Sequence, residues 1–299
     1  MEESKKQKRR FGDRRDGKRL KKIDSMHAFM PYLLPKRCDN EAVLKENIPC
    51  EKLLEFVAEK NAQSPDFKYT VFHVILAAAA KTIYLRPKMN YFYKGHRLYE
   101  RNEISFAFTV KRTFEDGSDE ALAIFRLRTE SEDSPLEQIH KKMAKYINMV
   151  RGENKKDGAT DIMDTLTKLP RFLVKFIVFV LNRLDYHGWL PASIEKEDPY
   201  HCTMYASNLG SIKATADYHH LTEFGTNSLF MLIGEMKDMI DLDENKQVTV
   251  KKMLPVSMTV DERIADGFYF AKSFKILKHL LQNPHLLEKP LTDPIDFNV

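Results

Sequence analysis

The chain has 299 residues, 43% of them hydrophobic, with 19 Phe and 12 Tyr. That is enough apolar material for a sizeable core and too much for wholesale disorder. Its net charge of +5 is local: residues 1–22 hold 11 Lys and Arg against 4 Asp and Glu, a net of +7, leaving −2 for the other 277. With a near-neutral body, and no binding motif or pattern of aromatic residues accompanying the basic run, neither nucleic acid nor an anionic membrane is an expected partner of that run. Residues 1–24 read instead as a basic, flexible arm that solubilises the chain or docks on a neighbouring subunit.

Cys38, Cys50 and Cys202 are odd in number and far apart, which argues against a disulfide framework and a zinc site. The N-terminus lacks an apolar signal core. The most apolar run, Phe172 to Leu181, contains Lys175 and falls short of the roughly 20 residues a membrane span needs. It reads as a buried or interface helix, and the expected compartment is a reducing cytoplasm.

In chain order, Leu53, Leu54 and Val57 mark a short amphipathic helix, and Tyr69–Leu85 a longer apolar one stopped by Pro87. Ile104, Phe106, Phe108 and Val110 alternate with smaller residues, predicting a half-buried strand. Glu120–Arg128 predicts its neighbour. A helix follows Ser134 and Pro135, with Leu136, Ile139, Met143, Ile147 and Val150 at helical spacing. Residues 151–161 read as a loop. A helix from Pro170, the turn at 187–191, a strand entering 203–212 and a second strand over 228–236 come next. Val248–Val260 predicts a hairpin-like pair, and Phe270, Phe274, Leu277 and Leu281 line a final helix. Without regular βαβ alternation, the pattern predicts one α+β domain over residues 25–299.

No phosphate-cradling, dinucleotide-binding, zinc-protease or nucleophile-elbow motif is present. His219-His220 is the one histidine pair; adjacent residues point apart, so it reads as two partly exposed or hydrogen-bonded side chains and no metal is expected. Two stretches can carry chemistry. Ser207-Asn208-Leu209-Gly210 ends a strand in a turn, where a hydroxyl and backbone amides can meet a developing negative charge. Asp261-Glu262-Arg263-Ile264-Ala265-Asp266-Gly267 packs four ionisable groups between a strand and a helix.

In that order, these motifs resemble the catalytic domain of the 2-oxo acid dehydrogenase acyltransferases, and more distantly chloramphenicol acetyltransferase. The family pairs an S-N-[LI]-G turn with a D-H-R-x-x-D-G segment. The resemblance runs over roughly residues 25–290 and is strongest after residue 200. It implies a two-layer sandwich of a mixed β-sheet packed on helices, and a homotrimer with its active sites between subunits. Coenzyme A or an acyl-CoA enters the channel from one side and a small thiol or hydroxyl acceptor from the other. By the same resemblance Ser207 is the oxyanion donor and Asp266 the structural acid. Asn208, Gly210, Arg263 and Gly267 shape the two loops.

The family's general base is a histidine, and this chain has Glu262 in its place. A carboxyl group near about 4.3 matches a thiol near about 8.5 poorly, whereas imidazole suits neutral pH. Burial can raise a Glu, but Arg263 pulls the other way. Three readings follow: Glu262 sits in the channel and works as an altered base; His219 or His220 reaches the vacant position; or the chain is a catalytically silent acyl-CoA-binding or scaffold homologue. No lipoyl attachment segment is visible, so a free-standing acyltransferase acting on a small soluble acceptor is the expected enzyme.

Overall fold

The computed structural model describes residues 10–111, 120–152, 164–242 and 245–297. The predicted loop at 151–161 lies almost wholly outside them. Ten strands and seven α-helices are used below: β1 (Gly17–Arg19), α1 (Ser25–Leu33), β2 (Glu41–Pro49), α2 (Glu51–Ala62), α3 (Val71–Leu85), β3 (Tyr91–Lys94), β4 (Arg97–Arg101), β5 (Ile104–Lys111), β6 (Glu120–Leu127), α4 (Pro135–Gly152), α5 (Arg171–Tyr186), α6 (Ala192–Glu197), β7 (Met204–Asn208), β8 (Leu229–Ile233), β9 (Lys237–Leu242), β10 (Val248–Asp261) and α7 (Gly267–Gln282).

The main sheet has seven strands in the order β2-β10-β8-β7-β5-β6, with β9 pairing beside β8 along the first half of β10. It is mixed. β5, β7 and β8 run parallel, and the remaining pairs are antiparallel. One face packs on helices. Phe106, Phe108, Met204, Ala206, Leu229, Met231, Val256 and Met258 join residues of α2, α3, α4 and α7 in the principal core. α3 runs through its middle, buried from His73 to Ile83, because the run Ala77–Ala80 lets neighbouring elements approach its backbone. The opposite face is covered by residues 209–228, where Ala216 and Leu221 pack on Ala107, Tyr205, Phe230 and Leu232. The expected two-layer α+β sandwich is present, with a small three-stranded sheet, β1-β4-β3, beside it.

Three local expectations change, and one of the two readings of the apolar helix is excluded. β5 is buried from Ile104 through Phe108 rather than alternating, because both of its faces are covered; Ser105 and Thr203 satisfy each other there through 3.0 and 3.1 Å bonds. Val248–Asp261 is one strand, not a hairpin; its first half pairs antiparallel with the upstream β9, and its second half with β2 and β8. Residues 10–24 are not a free arm. β1 pairs with β4, and Arg14 is buried against Asp185 at 2.7 Å, so part of the tail's basicity is spent inside the fold. The apolar helix α5, expected to be buried or at an interface, is not buried along its length within one chain: Phe172, Phe176 and Phe179 are 74%, 61% and 66% exposed.

Arg14 belongs to a buried polar cluster that ties distant segments together. Asp185, at the end of α5, also meets Lys94 at 2.7 Å and His201 Nε2 at 3.1 Å, while His201 Nδ1 is 2.6 Å from Asp198. Burial alone pushes His201 down, but its bonds to Asp185 and Asp198 overcome this and raise it to about 9. A histidine raised in the folded state contributes stability in full below its unfolded value, near about 6.5, and loses it as pH rises through the folded value. Stability to heat or urea is therefore expected to fall between about pH 6.5 and 9 by up to about 3 kcal/mol. His201→Gln is expected to start lower and to flatten that slope; a slope unchanged in the variant would show that another group carries it.

Candidate active site

Three parallel strands finish at one edge. Val110 and Lys111 close β5, Asn208 closes β7 and Ile233 closes β8, and all four line clefts there. One cleft, of about 590 Å³, has Tyr205, Ser207, His219, His220 and Phe230 among its walls. The other, of about 680 Å³, is walled by Thr70, His73, Gly210, Gly234 and Glu235 among others. Phe72, Met143, Ile147, Asn208 and Ser211 line both, so the two spaces meet at the 207–211 turn.

The turn itself is tightly made. Ser211 Oγ donates to Asn208 O at 2.7 Å, and Ala214 N to Leu209 O at 3.0 Å. Gly210 is needed for close approach, since a Cβ there would lie 2.7 Å from Gly234 O. Gly234 in turn donates to Pro255 O at 2.9 Å. Ser207, half-buried, is thus held between β8 and a turn locked to the end of that strand. Tyr205 lies two residues earlier on the same face, its hydroxyl 2.5 Å from Thr109 Oγ1.

His219 stands on the Ser207 cleft wall. Its ring stacks flat on Phe230, centroids 3.8 Å apart at 7°. Its Nδ1 lies 2.8 Å from His220 O. A carbonyl can only accept, so Nδ1 carries the hydrogen; in the neutral ring this leaves the lone pair on Nε2, the tautomer a general base requires. His220 stacks on His219 at 4.7 Å.

Glu262 is elsewhere in the same chain. Ser207 pairs with Leu232 near the carboxyl end of β8, whereas Asp261 N bonds Ser228 O beyond its amino end. From this register, Glu262 lies roughly 16 Å from Ser207 along the strands and about 10 Å across them. Its side chain is exposed, its backbone N donates to Asn40 O at 2.8 Å, and it lines neither cleft.

The neighbours of Glu262 divide the roles expected of the second motif. Asp261 and Arg263 are buried and form a bidentate pair at 2.7 and 2.8 Å, with Arg37 Nε 3.8 Å away. Arg263 also donates to Pro35 O at 2.9 Å. Asp266 is exposed; its Oδ1 accepts from Tyr269 N at 2.7 Å and caps α7. The acid with buried charge partners is therefore Asp261, which adjacency to Arg263 alone did not reveal. Gly267 opens α7 with nothing within 4 Å of an added Cβ. The aromatic cleft walls Phe72 and Phe108 carried no sequence signal beyond helix and strand periodicity. Among the described residues no cluster of three metal-ligating side chains occurs, and no helix is long and apolar enough to cross a membrane.

This architecture is that of the acyltransferase cores. In fold the chain is similar to a probable dihydrolipoamide acetyltransferase from Listeria monocytogenes, at 12% identity over 88% of this chain and 94% of that one, TM-score 0.57. It is similar to the cubic core of the pyruvate dehydrogenase multienzyme complex, at 15% identity over 90% and 94%, TM-score 0.58. Chloramphenicol acetyltransferase aligns at 12% identity over 89% and 98%, TM-score 0.52. Residues 192–288, which contain both motifs, match the family described as 2-oxoacid dehydrogenases acyltransferase (catalytic domain). No curated protein matches the chain.

The close approach at Gly210 makes a direct prediction. Gly210→Ala must push the turn away from Gly234 and is expected to cost about 1–3 kcal/mol in urea unfolding. Gly267→Ala, at an open helix start, should be neutral or slightly stabilising. Equal costs at the two positions would contradict the crowding argument.

Proposed function

We propose that the chain transfers an acyl group between coenzyme A and a small thiol or hydroxyl acceptor, through a ternary complex at the Ser207 turn. The observation that carries this reading is the pair of clefts meeting at that turn, which offers each substrate its own approach to one reacting centre. His219 Nε2 takes the proton of the attacking thiol or hydroxyl. The new sulfur–carbon or oxygen–carbon bond forms at the acyl carbonyl, and the Ser207 hydroxyl donates to the resulting oxyanion. When the tetrahedral centre collapses, the coenzyme A sulfur leaves and recovers the proton from the imidazolium. Asn208 and Gly210 hold the turn.

Glu262 is too far from Ser207 in one chain to share this step, and only an adjacent subunit can bring it near. A homotrimer is part of the proposal, supported by the likeness to the acyltransferase cores and by an apolar ribbon on β9 and β10. Ile240, Leu242, Val248 and Val250 are 77%, 59%, 69% and 69% exposed there. In this assembly Asp261 and Arg263 fix the loop that presents Glu262, and Asp266 fixes the start of α7.

The test is release of free coenzyme A from acetyl-CoA with a panel of small thiols and alcohols. His219→Gln is expected to lower kcat about 10²- to 10⁴-fold, and Ser207→Ala about 10²- to 10³-fold, while Glu262→Gln leaves most of the rate. Loss in Glu262→Gln with His219→Gln unaffected would assign the base to Glu262 across a subunit boundary. Absence of transfer together with absence of coenzyme A binding would leave the silent scaffold reading.

A further inference from the structure

The outer face of α5 has a composition that neither the core nor the clefts use. Phe172, Phe176 and Phe179 form one helical stripe, at spacings of four and three residues, each more than 60% exposed. Exposed Arg171, Lys175 and Arg183 flank the same stripe. The helix contains a single acid, Asp185, and it is fully buried and neutralised by Arg14, Lys94 and His201. Outside the helix, the buried Asp198 and the exposed Glu197 line a groove with Val178 and Leu181. Just past the helix, Tyr186 and Trp189 are 39% and 66% exposed, residues that suit the boundary between water and lipid headgroups.

We propose that this face docks α5 flat on the surface of an anionic lipid bilayer. A bulky aromatic stripe with cations alongside and no exposed anion on the helix itself is the pattern of an interfacial helix: the rings enter the headgroup boundary and the cations meet lipid phosphates. α5 does not meet the length and hydropathy of a spanning helix, so it lies on the surface. Charge complementarity also favours lipid over a second copy of the same face. Two such faces paired about a two-fold axis would set Lys175 and Arg183 against like charges. The docking is independent of acyl transfer and needs no turnover to be observed.

The experiment is co-sedimentation of the full chain with vesicles of phosphatidylglycerol and phosphatidylcholine in equal amounts, and with pure phosphatidylcholine, alongside the oligomeric mass by light scattering. Wild-type protein is expected to bind the anionic vesicles and to be released by salt. The triple variant Phe172→Ser, Phe176→Ser, Phe179→Ser is expected to lose at least about tenfold in binding. Lys175→Glu with Arg183→Glu should lose comparably and remove the salt dependence. All changed side chains are exposed, so circular dichroism should remain that of the wild type. Absence of wild-type binding, or binding unchanged in the triple variant, would overturn the proposal. So would a fall in oligomeric mass in the triple variant without vesicle binding, which would make the face a contact between copies.

Discussion

The parallel pairing of β5, β7 and β8 is the constraint on which the rest of the molecule depends. Parallel neighbours cannot be joined by tight hairpins, so the chain must leave the sheet between them and return to the same end. Between β5 and β7 it makes β6, α4, α5 and α6; between β7 and β8 it makes the segment 209–228 that covers the second face. All three strands then finish at one edge, where the backbone turns away and leaves space. The clefts, Ser207 and His219 are consequences of that edge.

A second constraint is electrostatic and lies away from the clefts. Asp185 is carried into the interior by the end of α5, where an unpaired carboxylate would be costly. Arg14 from the N-terminal segment, Lys94 from the small sheet and His201 ahead of β7 all converge on it. The cluster therefore anchors three segments of distant sequence to the strand that bears Ser207. It also explains how α5 can expose its aromatic face yet remain fixed at its carboxyl end.

Most of the helix and strand framework was legible because it is written locally. α3, α4 and α7 show helical spacing, and the Ser207 turn and the Asp261–Gly267 segment are contiguous motifs whose order carried the family resemblance. The errors have a common physical origin in long-range pairing. Composition cannot distinguish a free basic tail from one whose Arg14 is matched by a carboxylate 171 residues later. The alternation in Val248–Val260 did not show that its partner strand lay upstream at Lys237–Leu242. Motif position placed Glu262 in a channel, but strand register puts it at the opposite end of the sheet from Ser207 within one chain. His219 is a dozen residues beyond Ser207 in sequence, and only the return of residues 209–228 over Phe230 sets it on the cleft wall.

The central claim is that the paired clefts at the Ser207 turn form a coenzyme A site. Calorimetric titration of coenzyme A into the full chain and into Ser211→Trp tests it most directly, because Ser211 is exposed and stands where the two spaces join. The account predicts saturable binding of one coenzyme A per chain, weakened at least about tenfold by the tryptophan, a change of about 1.4 kcal/mol. No saturable binding at millimolar coenzyme A, or binding that Ser211→Trp leaves untouched, would contradict it.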